Sequence, residues 1–144
     1  QAARILGLPV IFTEQYPQGL GPTDKSIAAV LEGATGPLVK TMCSCWRDEG
    51  FRSALQETQR EHVMLAGLEA HVCIQQTALD LLRVDYVPFV AVDAVGSRRK
   101  ADYDAALDRM GRSGVELSTT EAIIFELVER CDPPRFRDIL GLVK

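Results

Sequence analysis

Val63–Leu82 reads VMLAGLEAHVCIQQTALDLL, and two hydrophobic periods meet inside it. Val63-Met64-Leu65-Ala66 is a continuous apolar run, the pattern of a strand covered on both faces. Beyond it Ile74, Ala78, Leu81 and Leu82 recur at i, i+4, i+7 and i+8, the stripe of an amphipathic helix. A strand over Glu61–Leu68 and a helix over His71–Arg83 are expected. GLEAHVC, Gly67–Cys73, is the joint between them. A strand passing directly into a helix is the repeating unit of a parallel sheet covered by helices. The same joint raises a chemical question, because it sets a cysteine where the helix begins.

Outward from this stretch the alternation continues in both directions. Toward the N-terminus, Leu8–Thr13 and Leu38–Met42 read as short strands. Glu14–Asp24 is a Gly- and Pro-rich loop, and Ser26–Leu31 is a brief helix ended by Gly33. Arg47–Gln59 reads as an exposed helix. The opening QAARILGLPV reads as the end of a helix stopped at Gly7. Toward the C-terminus, Tyr86–Val92 and Val115–Ser118 are strands, and Lys100–Gly111 is a charged helix. Thr120–Arg130 is a helix capped by Thr119 or Thr120. Pro133-Pro134 breaks the chain before a last helix, Arg135–Val143. The expected fold is α/β: a three-layer, Rossmann-like, doubly wound and mainly parallel sheet with helices on both faces, in one domain over residues 1–144. Ligands of such folds sit at the carboxyl ends of the strands.

Composition narrows the function classes. The 144 residues hold 16 basic and 20 acidic side chains, a net charge of −4, which argues against a nucleic-acid partner. No apolar run approaches the roughly 20 residues of a membrane span. Four cysteines (Cys43, Cys45, Cys73, Cys131) without a CxxC, and only His62 and His71, support neither a disulfide framework nor a zinc site. Reduced thiols and a cytoplasmic location are expected. Gly19, Gly21 and Pro22 match no P-loop and there is no GxGxxG, so no cofactor is indicated.

Three strand ends carry candidate chemistry. Glu14, Gln15 and Tyr16 follow the first strand. Lys40 lies in the second, where an apolar run makes a lysine costly unless it is solvated at an edge or paired. Cys73 lies in the first turn of a helix, where the dipole and the unpaired N–H groups favour a thiolate, and a nearby ammonium would add to that. A small packed thiol is the other reading of Cys73, and position leaves both open. His71, two residues before Cys73, does not face it on a regular helix and reads as a polar residue of the turn. His62 reads as surface or structural. Trp46 is packing or a pocket wall. Cys43 and Cys45 would point to opposite faces if extended. Arg98-Arg99-Lys100 reads as a solvated loop.

These residues resemble the isochorismatase-like cysteine hydrolase family. The resemblance rests on TEQYPQGLGPT (Thr13–Thr23), LVKTMCS (Leu38–Ser44), AGLEAHVCIQQTALDLL (Ala66–Leu82), VAVDAVGSR (Val90–Arg98), the ALDRM segment ending at Met110, and STTEAIIFELV (Ser118–Val128). It runs nearly end to end and looks closest to the isochorismatase domain-containing subgroup. It implies a triad of aspartate, lysine and cysteine, with Lys40 and Cys73 as two members. It also implies a cis Leu68–Glu69 peptide that aims backbone N–H groups, including that of Cys73, at an oxyanion. The implied pocket includes Glu14, Gln15, Tyr16, Cys43, Trp46 and His71. The family's aspartate belongs to a first, central strand that is expected upstream of Gln1. The family's phenylalanine after the lysine is replaced around Cys43, altering a pocket wall. TEQYPQGLG lacks the Asp-x-His element of a nicotinamidase metal site. Retention of Cys73 points away from vinyl-ether hydrolysis. The implied activity is hydrolysis of a small amide-type C–N bond through a thioester, with a small-molecule substrate and a homo-oligomeric state. A catalytically idle oligomeric relative is a second expectation, and a ribonuclease a third.

Overall fold

The computed structural model describes residues 1–132 and 135–143, so the Pro133-Pro134 break lies outside the described residues. Helix α1 (Ala2–Leu6) ends at Gly7, whose N–H reaches Arg4 C=O at 3.2 Å. Strand β1 (Ile11–Gln15) is followed by two single-turn helices, α2 (Pro17–Leu20) and α3 (Lys25–Ala28). Strand β2 (Thr35–Lys40) leads through a 3-10 turn (Cys45–Arg47) into α4 (Glu49–Glu57). Strand β3 (His62–Leu68) passes into a π turn (Ala70–Ile74) that opens α5 (Gln75–Leu82). Strand β4 (Val87–Gly96), α6 (Lys100–Arg112), β5 (Glu116–Ser118), α7 (Thr120–Val128) and α8 (Arg135–Val143) follow.

This is an α/β fold in which all strand pairings are parallel. The strands form two sheets, β1-β2 and β3-β4-β5, with helices around them. No strand pairing joins β1 to β3 among the described residues. The two sheets nevertheless meet at their carboxyl ends. Gln15 closes β1, Lys40 closes β2 and Cys73 follows β3, and their side chains come within 4.0 Å of one another.

Several boundaries depart from expectation, each for a tertiary reason. The first strand runs to Gln15 rather than Thr13, because Glu14 and Gln15 pair with Val39 and Lys40. Pairing outweighs the weak strand propensity of acidic and amide residues. The second strand begins at Thr35 and stops at Lys40, not Met42. Its Gly36 is obligatory: φ is 137°, and a Cβ there would lie 2.4 Å from Phe12 C=O. The helix read as exposed, α4, buries Phe51 and Leu55. The helix expected from His71 begins instead as a π turn, which Ile74 N–H closes onto Glu69 C=O at 3.3 Å. Of the two possible caps of α7, Thr119 is the one whose hydroxyl accepts Ala122 N–H.

The main core gathers around α5. Ile74, Ala78 and Leu81 are buried with Leu65 of β3, Val90 of β4, Ala106 and Met110 of α6, and Phe51 and Leu55 of α4. Polar pins hold the cover in place. Tyr103 of α6 donates its hydroxyl to Val92 C=O at 2.6 Å, and Asp93 accepts Thr120 N–H at 2.7 Å at the start of α7. No helix of the described residues is long and apolar enough to cross a membrane. Leu81 is fully buried at the centre of this cluster. Leu81→Ala is therefore expected to destabilise the fold by about 2–5 kcal/mol. The check is urea unfolding, with a lower midpoint and an unchanged slope.

Candidate active site

Lys40 is the centre of the site. It is the last residue of β2, only 3% exposed, and its ammonium is aimed at three oxygens. Its Nζ donates to Gln15 Oε1 at 2.5 Å, to Met42 C=O at 2.9 Å and to Cys43 C=O at 3.2 Å. Cys73 Sγ stands 3.8 Å away. No carboxylate of the described residues lies within ion-pair distance of it, although six Lys or Arg ion pairs form elsewhere among those residues. A buried cation in that setting requires an anion or an unusually complete set of oxygen acceptors.

Cys73 is presented by the joint after β3. Gly67 has φ 117°, which an L side chain rarely adopts, so this turn requires glycine. The Leu68–Glu69 peptide is cis. The π turn then sets Cys73 inward toward Lys40 while His71 turns away. His71 Nδ1 lies 2.9 Å from Ser97 Oγ, and its Nε2 lies 4.0 Å from the carboxylates of Glu69 and Asp102. Glu69 is held by Arg98, whose Nε and backbone N–H donate to its Oε1 at 2.7 and 3.2 Å. That contact keeps the Glu69 carboxyl below its ordinary range.

Two opposing influences act on the thiol. Burial pushes the Cys73 thiol up, and the Lys40 charge pulls it down without overcoming that effect. Cys43 and Cys45 add to the upward push. Of the two readings left open by position, a thiolate or a packed thiol, the burial favours the thiol: removal of the sulfur from water outweighs one ammonium at 3.8 Å.

The remaining expected site residues divide. Gln15 joins Lys40 and Cys73. Glu14, its neighbour on the strand, points the other way, and its carboxylate accepts Thr23 N–H at 2.7 Å. Tyr16 contributes its backbone N–H to Lys40 C=O at 3.0 Å, while its ring is half exposed and lies over Gly19. Cys43 offers its carbonyl rather than its exposed thiol. Trp46 turns to the core and meets Tyr86 with ring centroids 5.5 Å apart. Leu68 is exposed.

Sequence reasoning missed the support beneath the lysine. Cys45 N–H donates to Thr77 Oγ1 at 2.9 Å, and Asp80 accepts from Arg47 at 2.7 Å and from Arg83 at 2.7 Å. These contacts tie the segment after β2 to α5. Arg47 holds the Asp80 carboxyl below its ordinary range, against the opposing effect of burial. The available signal was polar: Thr77 and Asp80 are three apart on a helix, beside the apolar stripe, and both are buried.

The protonated thiol state has a direct check in iodoacetamide labelling followed by peptide mapping. The pH midpoint for Cys73 is expected above the ordinary cysteine value of about 8.5. At neutral pH Cys73 should label more slowly than the exposed Cys43 and Cys131. Lys40→Met should move the midpoint further up, since it removes the attracting charge.

The isochorismatase domain matches residues 1–122. Isochorismatase domain-containing protein 1 of Salmo salar is 42% identical over 144 residues, covering 100% of this chain and 50% of the relative. The chain thus spans about half the length of that relative. The MAR1 ribonuclease of Caenorhabditis elegans superposes with a TM-score of 0.87 at 39% identity, over 99% of this chain and 72% of the other. The YcaC gene product of Escherichia coli, an octameric hydrolase of unknown specificity, gives 0.87 at 27% identity over 98% and 68%. YcaC from Pseudomonas aeruginosa, bearing hexane-2,5-diol and covalent acrylamide, gives 0.88 at 28% identity over 97% and 71%. The alternating parallel architecture, the joint that carries Cys73 and the extent of these matches place one conclusion beyond the fold itself: the chain belongs to the isochorismatase family.

Proposed function

We propose that this chain carries the lysine and the nucleophile of a cysteine hydrolase that cleaves a small amide-type C–N bond. The observation that carries the reading is the pair itself: a buried Lys40 ammonium 3.8 Å from Cys73 Sγ, at the carboxyl ends of parallel strands. In this scheme Cys73 loses its proton to a carboxylate, and its sulfur attacks the amide carbon. The C–N bond breaks, and the carboxylate returns the proton to the leaving nitrogen. Water then cleaves the thioester, releasing a carboxylic acid and restoring the thiol. Lys40 favours the anionic form of the sulfur during attack. Backbone N–H groups of the turn from Leu68 to Cys73 stabilise the oxyanion.

The carboxylate is not among the groups around Lys40. Glu14 is engaged with Thr23, and neither Asp24 nor Asp48 lies at the pair: each caps a helix, α3 and α4. The reading assigns it to a parallel strand preceding α1 that pairs with β1 and β3. The open edges of both strands support this, since backbone groups of a central strand need partners. The covalent acrylamide of the Pseudomonas aeruginosa relative supports a nucleophile in this fold. The octameric Escherichia coli relative supports a homo-oligomer, and four free cysteines support a cytoplasmic setting. The Caenorhabditis elegans relative brings a ribonuclease reading. The net charge of −4 and a lone site histidine bonded to Ser97 weigh against it.

The test is a screen of small amides with an intact-mass readout. Cys73→Ala is expected to reduce turnover by at least about a thousandfold, the scale of losing a covalent nucleophile, with the fold retained by circular dichroism. The parent protein should accumulate an acyl adduct on Cys73 during turnover. Full activity in Cys73→Ala would overturn the assignment.

A further inference from the structure

An ammonium has three N–H donors. Those of Lys40 are matched by three oxygens, at 2.5 Å (Gln15 Oε1), 2.9 Å (Met42 C=O) and 3.2 Å (Cys43 C=O). Cys73 Sγ is the fourth neighbour, at 3.8 Å. Three donors thus serve four acceptors, and the sulfur receives only the longest of the contacts, a weak N–H···S hydrogen bond shared with the oxygens. Two of the competing acceptors are backbone carbonyls fixed by the segment after β2. The third is the Gln15 side chain.

The orientation of Gln15 is determined by its partners. Its Nε2 donates to Thr41 C=O at 2.8 Å while its Oε1 accepts from Lys40. A flipped amide would set NH2 against the ammonium and oxygen against the carbonyl, both repulsive. The amide oxygen therefore also faces Cys73 Sγ, at 4.0 Å. It can accept weakly from the S–H, and it opposes negative charge on the sulfur.

We propose that Gln15 is a positioning residue that competes with Cys73 for Lys40: its amide oxygen occupies the ammonium N–H that a Cys73 thiolate requires. The resting site is thereby held with the proton on sulfur. Withdrawal of that oxygen transfers one Lys40 N–H to the anionic sulfur. The inference rests on Lys40 and Cys73 forming the reactive pair. Among the described residues the other titratable groups facing the sulfur are Cys43 and Cys45, from the loop and 3-10 turn that follow β2, and the carboxylate of the proposed function would face it as well.

The test compares two substitutions by the pH dependence of iodoacetamide alkylation at Cys73, located among the four thiols by peptide mapping. Gln15→Met keeps the shape and removes the oxygen. It is expected to move the midpoint down by roughly half a unit to one unit. Gln15→Glu keeps the shape and adds a charge that neutralises Lys40. It is expected to move the midpoint up by about one unit, the size of effect a single close charge produces. Opposite shifts support competition for the ammonium. Equal-direction shifts or no shift in either variant would overturn it, and Gln15→Met is the discriminating arm, because a carboxylate beside the sulfur raises the midpoint by direct repulsion in any case. Should Gln15→Met fail to fold, Gln15→Leu takes its place, and an unmoved or raised midpoint sinks the proposal. Alkylation needs no substrate. A protein that hydrolyses no amide yet shows opposite shifts loses the proposed activity and keeps this role for Gln15.

Discussion

The buried ammonium of Lys40 is the constraint around which the site is organised. A cation removed from water must be given back its hydration by fixed groups. Here β2 delivers the charge, its own continuation supplies two carbonyls, and β1 supplies an amide oxygen. Those three oxygens explain why the segment after β2 must turn sharply at Thr41–Ser44 rather than extend as a strand. They also explain why that segment is clamped from beneath by Thr77 and Asp80. Thr77 and Asp80 lie beside the apolar stripe of the same helix, α5, so packing and chemistry share their support.

Much of the architecture was legible in residue patterns. The change of period across Val63–Leu82 identified a strand and a helix that the structure contains. The stripe Ile74, Ala78, Leu81 faces the core as its spacing required. What the pattern could not supply was strand register and helix type. Gln15 belongs to a strand because Lys40 is opposite it, a fact of pairing between residues 25 positions apart. The π turn has no hydrophobic signature, since one extra residue in a turn leaves the stripe beyond it intact. In α4, Phe51 and Leu55 lie at i and i+4 among charged neighbours, and two apolar residues sufficed to bury one face.

The site was legible in part for similar reasons. Lys40 stood out because a charge in an apolar run needs a reason, and Cys73 because of the joint that holds it. Alternation along β1 separated Gln15 from Glu14, which adjacency in sequence could not. The thiol's acidity stayed open in the sequence because position reveals the helix start and not the depth of burial. Trp46 offered two readings, and a ring contact with Tyr86 selects packing.

The site is assembled from two separately hydrogen-bonded groups of strands. Lys40 and Gln15 ride on the β1-β2 sheet, while Cys73 rides on the β3-β4-β5 sheet. Within each sheet, hydrogen-bonded ladders make the strands move together. Across the seam, no ladder couples them among the described residues. Side-chain ties hold the two together instead: Cys45 N–H on Thr77 and Arg47 on Asp80 fasten the segment that follows Lys40 to the helix that follows Cys73. A change at Thr77 or Asp80, neither of which touches the sulfur, therefore acts as a fine adjustment of the reactive distance.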